Sequence, residues 1–310
     1  MMKVAVLCND RLGVPALRHL LENKLVVAIG TSDRESETTV LLKQIAVMNS
    51  VPFQIFNKQN LEVDLKTWLA AHNPDIVLVK TFPWRISVSL LKVPKYGFVN
   101  FHYAPLPQFR GKNPLFWMIR NRVSEGGVAV HRMDENLDTG DVLLSKSVAI
   151  YPDSSFGMLV SQLAFAGAEL TMPLLHGLEA DKLTPVKQDS SQSNWYDRPK
   201  PDDLFISWKT MNSWEVRALA KACNPWQKGA VVKFKGWTFG LTDVSLSFAQ
   251  VSKETEPGTI VALDESNGML VACSDGKAVK AEVVYCEEGY FPGHKMSQFG
   301  LRKGYILDYN

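Results

Sequence analysis

The chain is short of cysteine, lacks a phosphate-binding glycine signature and carries little excess charge, and each shortage removes a class of function. Among its 310 residues are four cysteines, Cys8, Cys223, Cys273 and Cys286, with no CxxC pair. Structural zinc sites and dithiol redox motifs need closely spaced thiols, so neither is expected, and the four read as buried free thiols. The turn after the first apolar run, Asn9-Asp10-Arg11-Leu12-Gly13, carries a single glycine, and neither GxGxxG nor the P-loop pattern occurs. A dinucleotide or nucleoside triphosphate cradle is therefore disfavoured, because it needs glycine to bring backbone N–H groups close to phosphate. With 34 basic and 32 acidic residues the formal net charge is +2. That removes a general electrostatic attraction to nucleic acid or membranes and leaves only local patches. No uninterrupted apolar run of 18 residues occurs, and the start, MMKVAVLCND, is not a secretory leader. A soluble, reduced, cytoplasmic protein with no membrane partner is expected. No His, Asp or Glu cluster has metal-ligand spacing, so no metal is expected.

What is present is an ordinary globular composition, 46% hydrophobic and 21% charged, in a chain long enough for two domains. Short apolar runs at Lys3–Cys8, Val26–Thr31, Ile76–Val79, Gly97–His102, Gly127–Met133 and Asp141–Val148 read as strands. They alternate with helical patterns at Pro15–Asn23, Val40–Met48 and Leu61–His72, then one long helix, Ser155–Leu178, capped by Ser154 or Ser155. This alternation predicts an α/β, doubly wound, Rossmann-like domain with a parallel sheet over residues 1–186. Residues 187–203, KQDSSQSNWYDRPKPDD, are polar and rich in Ser, Pro and Asp, as in a linker. Residues 204–310 open with a short helix, Trp214–Cys223, and then turn to short strands punctuated by glycine. Asn267-Gly268 and Asp275-Gly276 are hairpin signals, and a small all-β, OB-like barrel is expected.

Two segments carry candidate chemistry. In Val99-Asn100-Phe101-His102 the side chains two apart share a strand face, so Asn100 and His102 point together while Val99 and Phe101 point into packing. An amide donor beside an imidazole suits oxyanion stabilisation and proton transfer, and it equally suits the bracing of a loop. The second segment, His131 to Asp141, holds Asp134, Glu135, Asp138 and Asp141 between two strands. By spacing alone it reads as a solvated acidic loop, since four carboxylates repel in a dry site.

Taken in order, the two segments resemble the formyltransferases that use 10-formyltetrahydrofolate. The resemblance rests on Asn100-Phe101-His102, Leu106-Pro107, Arg110-Gly111, and Gly127-Val128 followed by His131-Arg132-Met133-Asp134-Glu135-Asn136-Leu137-Asp138-Thr139-Gly140-Asp141. The tail is similar to the C-terminal barrel of the methionyl-tRNA and aminoarabinose members. It is matched at Phe205-Ile206-Ser207-Trp208, Asn224-Pro225-Trp226-Gln227-Lys228-Gly229-Ala230, Pro257-Gly258-Thr259-Ile260 and Leu270 to Gly276. The resemblance covers nearly the whole chain and implies an enzyme with 10-formyltetrahydrofolate as co-substrate. It places the catalytic roles on Asn100, His102 and Asp138. It also implies a folate pocket of Phe82, Trp84, Arg85, Ile86, Leu106, Glu135, Asn136, Leu137 and Asp141. In this scheme Asn100 and a protonated His102 stabilise the oxyanion, and Asp138 favours the imidazolium and helps remove the ammonium proton.

Two departures bear on the acceptor. The tRNA-directed members resemble one another in a long basic loop after the second strand, where this chain has only Ser32-Asp33-Arg34-Glu35-Ser36-Glu37-Thr38-Thr39. Residues 211–310 hold 11 basic and 11 acidic residues, whereas a tRNA-binding barrel should neutralise several phosphates. Tyr103 after the histidine, where those members carry a small residue, suits stacking on a base or sugar and equally suits packing. Tyr103 and Arg110 are the acceptor-site candidates. A small amine, foremost on a nucleotide-linked amino sugar, is the expected acceptor; tRNA and a hydroxyornithine-type precursor are the alternatives. The barrel is a candidate homodimer element.

Overall fold

The structure, a computed structural model, describes residues 1–34, 36–225 and 227–307. Glu35 and Trp226, which belong to two of the segments read above, lie outside the described residues. The chain forms two compact units. The first comprises Met1–Pro114, Glu125–Ala149 and Val160–Tyr196; the second comprises Leu115–Ser124, Ile150–Leu159 and the chain from Asp197 onward.

The first unit is built on β1 (Val4–Cys8), α1 (Val14–Glu22), β2 (Val26–Ser32), α2 (Glu37–Met48), β3 (Phe53–Phe56), α3 (Leu61–His72), β4 (Ile76–Lys80), α4 (Val88–Leu91), β5 (Phe98–His102) and β6 (Arg110–Gly111). The next elements are α5 (Pro114–Arg120), β7 (Glu125–Arg132), β8 (Val142–Ala149), α6 (Phe156–Glu169), α7 (Thr171–Glu179) and β9 (Trp195–Tyr196). α5 and α6 each run across a unit boundary. Seven strands form one sheet in the order β3-β2-β1-β4-β5-β7-β8. β1 and β4 are buried at every residue, which is why they read as continuous apolar runs.

The expected parallel sheet holds for β1 to β5 and ends there, because β5 pairs with β7, and β7 with β8, antiparallel. Residues 133–141 between β7 and β8 are fewer than the dozen or so that a parallel return needs, which accounts for the β7–β8 hairpin. β3 escapes sequence reading because it is a four-residue edge strand with Gln54 and Ile55 exposed. The long terminal helix is capped by Ser155, whose Oγ accepts from the Met158 N–H, and is interrupted at Leu170 between α6 and α7. Phe156–Glu179 is long and apolar enough, by length and composition alone, to cross a membrane. Here Leu163, Leu174 and Leu175 are buried in the core, and the Gly167 carbonyl and Thr171 hydroxyl both meet the Lys80 ammonium nitrogen.

In the second unit α8 (Ser213–Cys223) starts in a capping box, Asn212 accepting from the Glu215 N–H and Glu215 from the Asn212 N–H. Strands β10 (Ala230–Phe234), β11 (Trp237–Ser247), β12 (Ile260–Asp264), β13 (Gly268–Ala272), β14 (Ala278–Cys286) and β15 (Gly289–Pro292) follow. They pair antiparallel in the order β10-β11-β14-β13-β12, with β15 against β14. Both expected hairpins form, with Gly268 and Gly276 at positive φ. All four cysteines are buried and free.

Candidate active site

The site begins at the carboxyl end of β5. The pleat puts Phe98, Asn100 and His102 on one face, and antiparallel pairing sets His131 of β7 directly opposite Asn100. Asn100 Nδ2 donates to His131 Nε2 at 3.1 Å, while His131 Nδ1 donates to the Arg132 carbonyl at 2.8 Å. Those two bonds specify the Nδ1–H tautomer of His131 and leave one N–H of the Asn100 amide for another acceptor. His102 Nε2 donates to the Phe109 carbonyl at 2.6 Å, and its Nδ1 faces Asp138 Oδ1 at 3.5 Å. His102, His131 and Asp138 are all buried.

Asp138 sits in the β7–β8 loop in left-handed backbone, φ 57°, a conformation Asp tolerates because its short side chain bonds locally. Its Oδ2 accepts the Gly111 N–H at 3.0 Å, and His131 Nε2 lies 3.7 Å from Oδ1. Burial alone would raise the carboxyl pKa. The His102 imidazole, the largest opposing influence, and the Gly111 N–H outweigh it and hold Asp138 at about 2, so it is a carboxylate throughout the working range. The acidic loop is therefore not uniformly solvated: Asp134, Glu135 and Asp141 are exposed, and Asp138 turns inward.

Gly111 adopts φ 117° and packs so closely on β9 that a Cβ there would collide with the Tyr196 carbonyl. β9 pairs with β6, and Phe109 stacks on Tyr196 with ring centroids 4.9 Å apart. Residues 187–196, which composition marks as linker, thus pack within the first unit and bring Gln188 to the site.

The two proposed acceptor contacts are placed elsewhere. Tyr103 lies on the Phe101 face of its segment, opposite His102, is buried, and donates to the Leu12 carbonyl at 3.0 Å. The strand parity that pairs Asn100 with His102 turns Tyr103 away from them. Arg110 is also buried, its Nε and Nη2 donating to Gln188 Oε1 at 3.1 and 2.8 Å, so it braces the loop instead of meeting solvent.

The expected folate residues divide. Glu135 and Asn136 line a cavity of about 530 Å³ together with Leu91, Phe98 and Met133. Leu106 lines a second cavity of about 330 Å³ beside Pro107, Ala129 and Gln188. Ile86 is buried, and Phe82 and Trp84 are half-buried against the same core cluster, their rings edge to face at 5.4 Å. Arg85 and Asp141 are exposed and Leu137 is half-buried; with Phe82, Trp84 and Ile86 they are not among the residues lining either cavity.

The opposite face of the same strands holds Lys80, at the end of β4. It is fully buried, its Nζ donating to Thr171 Oγ1 at 3.0 Å and the Gly167 carbonyl at 3.4 Å, and lying over the Phe101 ring. Burial depresses its pKa well below the usual lysine value. Neither His131 nor Gln188 was assigned a role from sequence. Position 131 is recoverable once the β5–β7 register is known, whereas no local signal marks Gln188.

A strand-end amide, two imidazoles and a buried carboxylate at the edge of an α/β sheet make a site suited to acyl transfer, with donors for an oxyanion beside a group that moves protons. The model of the family described as "Formyl transferase" matches residues 2–174, and that of "Formyl transferase, C-terminal domain" matches residues 198–289. The chain belongs to the formyl transferase family. It is 30% identical over 317 residues to a methionyl-tRNA formyltransferase of Citrifermentans bemidjiense, covering 99% of this chain and 96% of the relative. It is 28% identical to the enzyme of that name from Clostridium botulinum, covering 96% and 98%. Among solved structures, an N-formyltransferase of Helicobacter canadensis in complex with folinic acid and dTDP-3-aminofucose shares the fold. Its TM-score is 0.67 at 17% identity, covering 91% of this chain and 99% of that one. HypX of Aquifex aeolicus with tetrahydrofolic acid is similar with a TM-score of 0.66 at 17% identity, covering all of this chain and 51% of that one.

Proposed function

We propose that the protein transfers the formyl group of 10-formyltetrahydrofolate to the primary amine of a small acceptor, foremost a nucleotide-linked amino sugar. The reaction is assigned to Asn100, His102 and Asp138. A neutral amine attacks the formyl carbon, a new C–N bond forms, and the carbonyl oxygen becomes an oxyanion. The Asn100 N–H not engaged by His131 donates to that oxygen, and the His102 imidazolium, whose two N–H groups face the Phe109 carbonyl and Asp138, stabilises it through its charge alone. The Asp138 carboxylate favours the imidazolium and takes the ammonium proton, directly or through water. Collapse breaks the bond to the folate nitrogen, which receives the proton as the leaving group. The 530 Å³ cavity is the proposed pterin site, with exposed Glu135 and Asn136 able to accept from its N–H donors.

The observation that carries the acceptor choice is the connection after β2. α2 begins at Glu37, five residues beyond the end of β2 at Ser32, so residues 33–36 are all that separates them, with Arg34 their single base. Too little basic chain is present there to neutralise several phosphates of an acceptor stem. The Helicobacter canadensis structure, solved with folinic acid and an amino-sugar nucleotide, supports the same reading at the level of fold. A methionyl-tRNA acceptor is the second reading, favoured by near full-length similarity to enzymes of that name. The test supplies 10-formyltetrahydrofolate with dTDP- and UDP-amino sugars, hydroxyornithine or methionyl-tRNA, and follows tetrahydrofolate release and formylated product. Turnover on an amino sugar is expected. Efficient formylation of methionyl-tRNA alone, with steep salt dependence, overturns the acceptor assignment.

A further inference from the structure

We propose that Gln188 is a positioning residue for formyl transfer: its side-chain amide locks together the two backbone segments that orient His102 and Asp138. Its Nε2 donates two N–H bonds, one to the Asp138 carbonyl at 3.0 Å and one to the Gly140 carbonyl at 2.8 Å. Its Oε1 accepts from Arg110 Nε and Nη2. Arg110 has only donors and the carbonyls only accept, so one orientation of the amide meets all four bonds and the flipped one meets none. Both donors and both acceptor sites of a buried amide are thereby used, which makes the joint stiff and costly to leave half made.

What the joint connects gives it its consequence. Arg110 lies between Phe109, whose carbonyl accepts from His102 Nε2, and Gly111, whose N–H donates to Asp138 Oδ2. Asp138 and Gly140 belong to the loop whose left-handed turn aims the carboxylate inward. Gly140 itself is pressed against the Arg132 carbonyl, the same carbonyl that fixes the His131 tautomer. One side chain from residues 187–196 therefore holds the frame of both the imidazole and the carboxylate without touching either group.

The inference rests on the assignment of Asp138 and His102 made above, and the experiment separates the two. The full chain is labelled with aspartate carrying ¹³C in the side-chain carboxyl, and the Asp138 signal is identified by its loss in Asp138→Asn. Gln188→Met removes all four bonds. Gln188→Glu keeps acceptors for Arg110 and loses the donors to the two carbonyls, so it preserves one half of the joint if the first variant folds poorly. In both variants the Asp138 carboxyl is expected to titrate at least about one pH unit higher than in the parent protein. Turnover with 10-formyltetrahydrofolate and the amine found in the acceptor screen is expected to fall about tenfold to a hundredfold in kcat, with KM for the donor little changed. An unmoved carboxyl signal, or a Glu variant indistinguishable from the parent, overturns the positioning role. Undiminished turnover in Asp138→Asn overturns instead the catalytic assignment on which it rests.

Discussion

Two buried titratable side chains stand on opposite faces of the central strands of the first unit, and they answer burial in opposite ways. Asp138 keeps its charge, because the His102 imidazole and a backbone N–H are turned toward it. Lys80 has a hydroxyl, a carbonyl and an aromatic face for company, with no carboxylate among its hydrogen-bond partners, and its pKa is pushed down. A low-dielectric setting disfavours both ions, so the difference lies in the donor and acceptor set. One face holds a charge; the other packs. The two should respond differently to substitution and to pH.

The largest effect is expected on the charged face. His102→Ala and Asp138→Asn should each lower formyl transfer by about 10² to 10⁴ while the protein stays folded, checked by turnover and a thermal melt. Near-normal turnover in the His102 variant would remove the chemical distinction between the faces. Asp138 also carries an acid-stability signature. Its folded pKa of about 2 lies below the ordinary 3.8, so its contribution is fully present above that value and is lost as pH falls toward 2. Asp138→Asn should flatten that part of the stability profile in denaturant titrations.

The next effect belongs to Lys80. Its folded pKa is lowered, so the unfolded chain binds more protons as pH falls below 10.5, and the folded state loses stability in that direction until the folded pKa is reached. Lys80→Met should therefore raise the melting temperature at neutral pH, by several degrees, and raise it less in strongly alkaline buffer. Turnover should hardly change. A loss of turnover would mean that the packing face takes part in chemistry. The smallest effect is expected at Tyr103. Removing its hydroxyl strands the Leu12 carbonyl, costing about 1 kcal/mol of stability, with acceptor KM unchanged. A raised acceptor KM in Tyr103→Phe would return this residue to the acceptor site.

What could be read from the sequence followed periodicity and local turn chemistry. Buried parallel strands, capped helices and glycine hairpins announce themselves within a few residues, and the two-residue repeat placed Asn100 with His102. The same repeat, carried one residue further, puts Tyr103 with Phe101, away from the face of His102. Direction of pairing was not legible: the short loop between β7 and β8 forces their own antiparallel return, but no local signal fixes the direction of β7 against β5. Asp138 was legible as a member of a motif, but its inward turn depends on the Gly111 N–H, 27 residues upstream. Gln188 lay beyond reach. Its partners are two carbonyls and a guanidinium from 48 to 78 residues away, and its neighbours are the polar residues from which linkers are usually inferred.

The close seat of Gly111 on Tyr196 bears on where this catalytic unit can be cut and recombined. A fragment ending at residue 186, where composition changes, would discard Gln188 and the strand that β6 pairs with, leaving the Gly111 segment unsupported on one side. A fragment carried through Tyr196 retains both. The stretch of chain that supports β6 is thus set by a glycine some 85 residues upstream of Tyr196, and a cut placed by composition alone would pass through the joint.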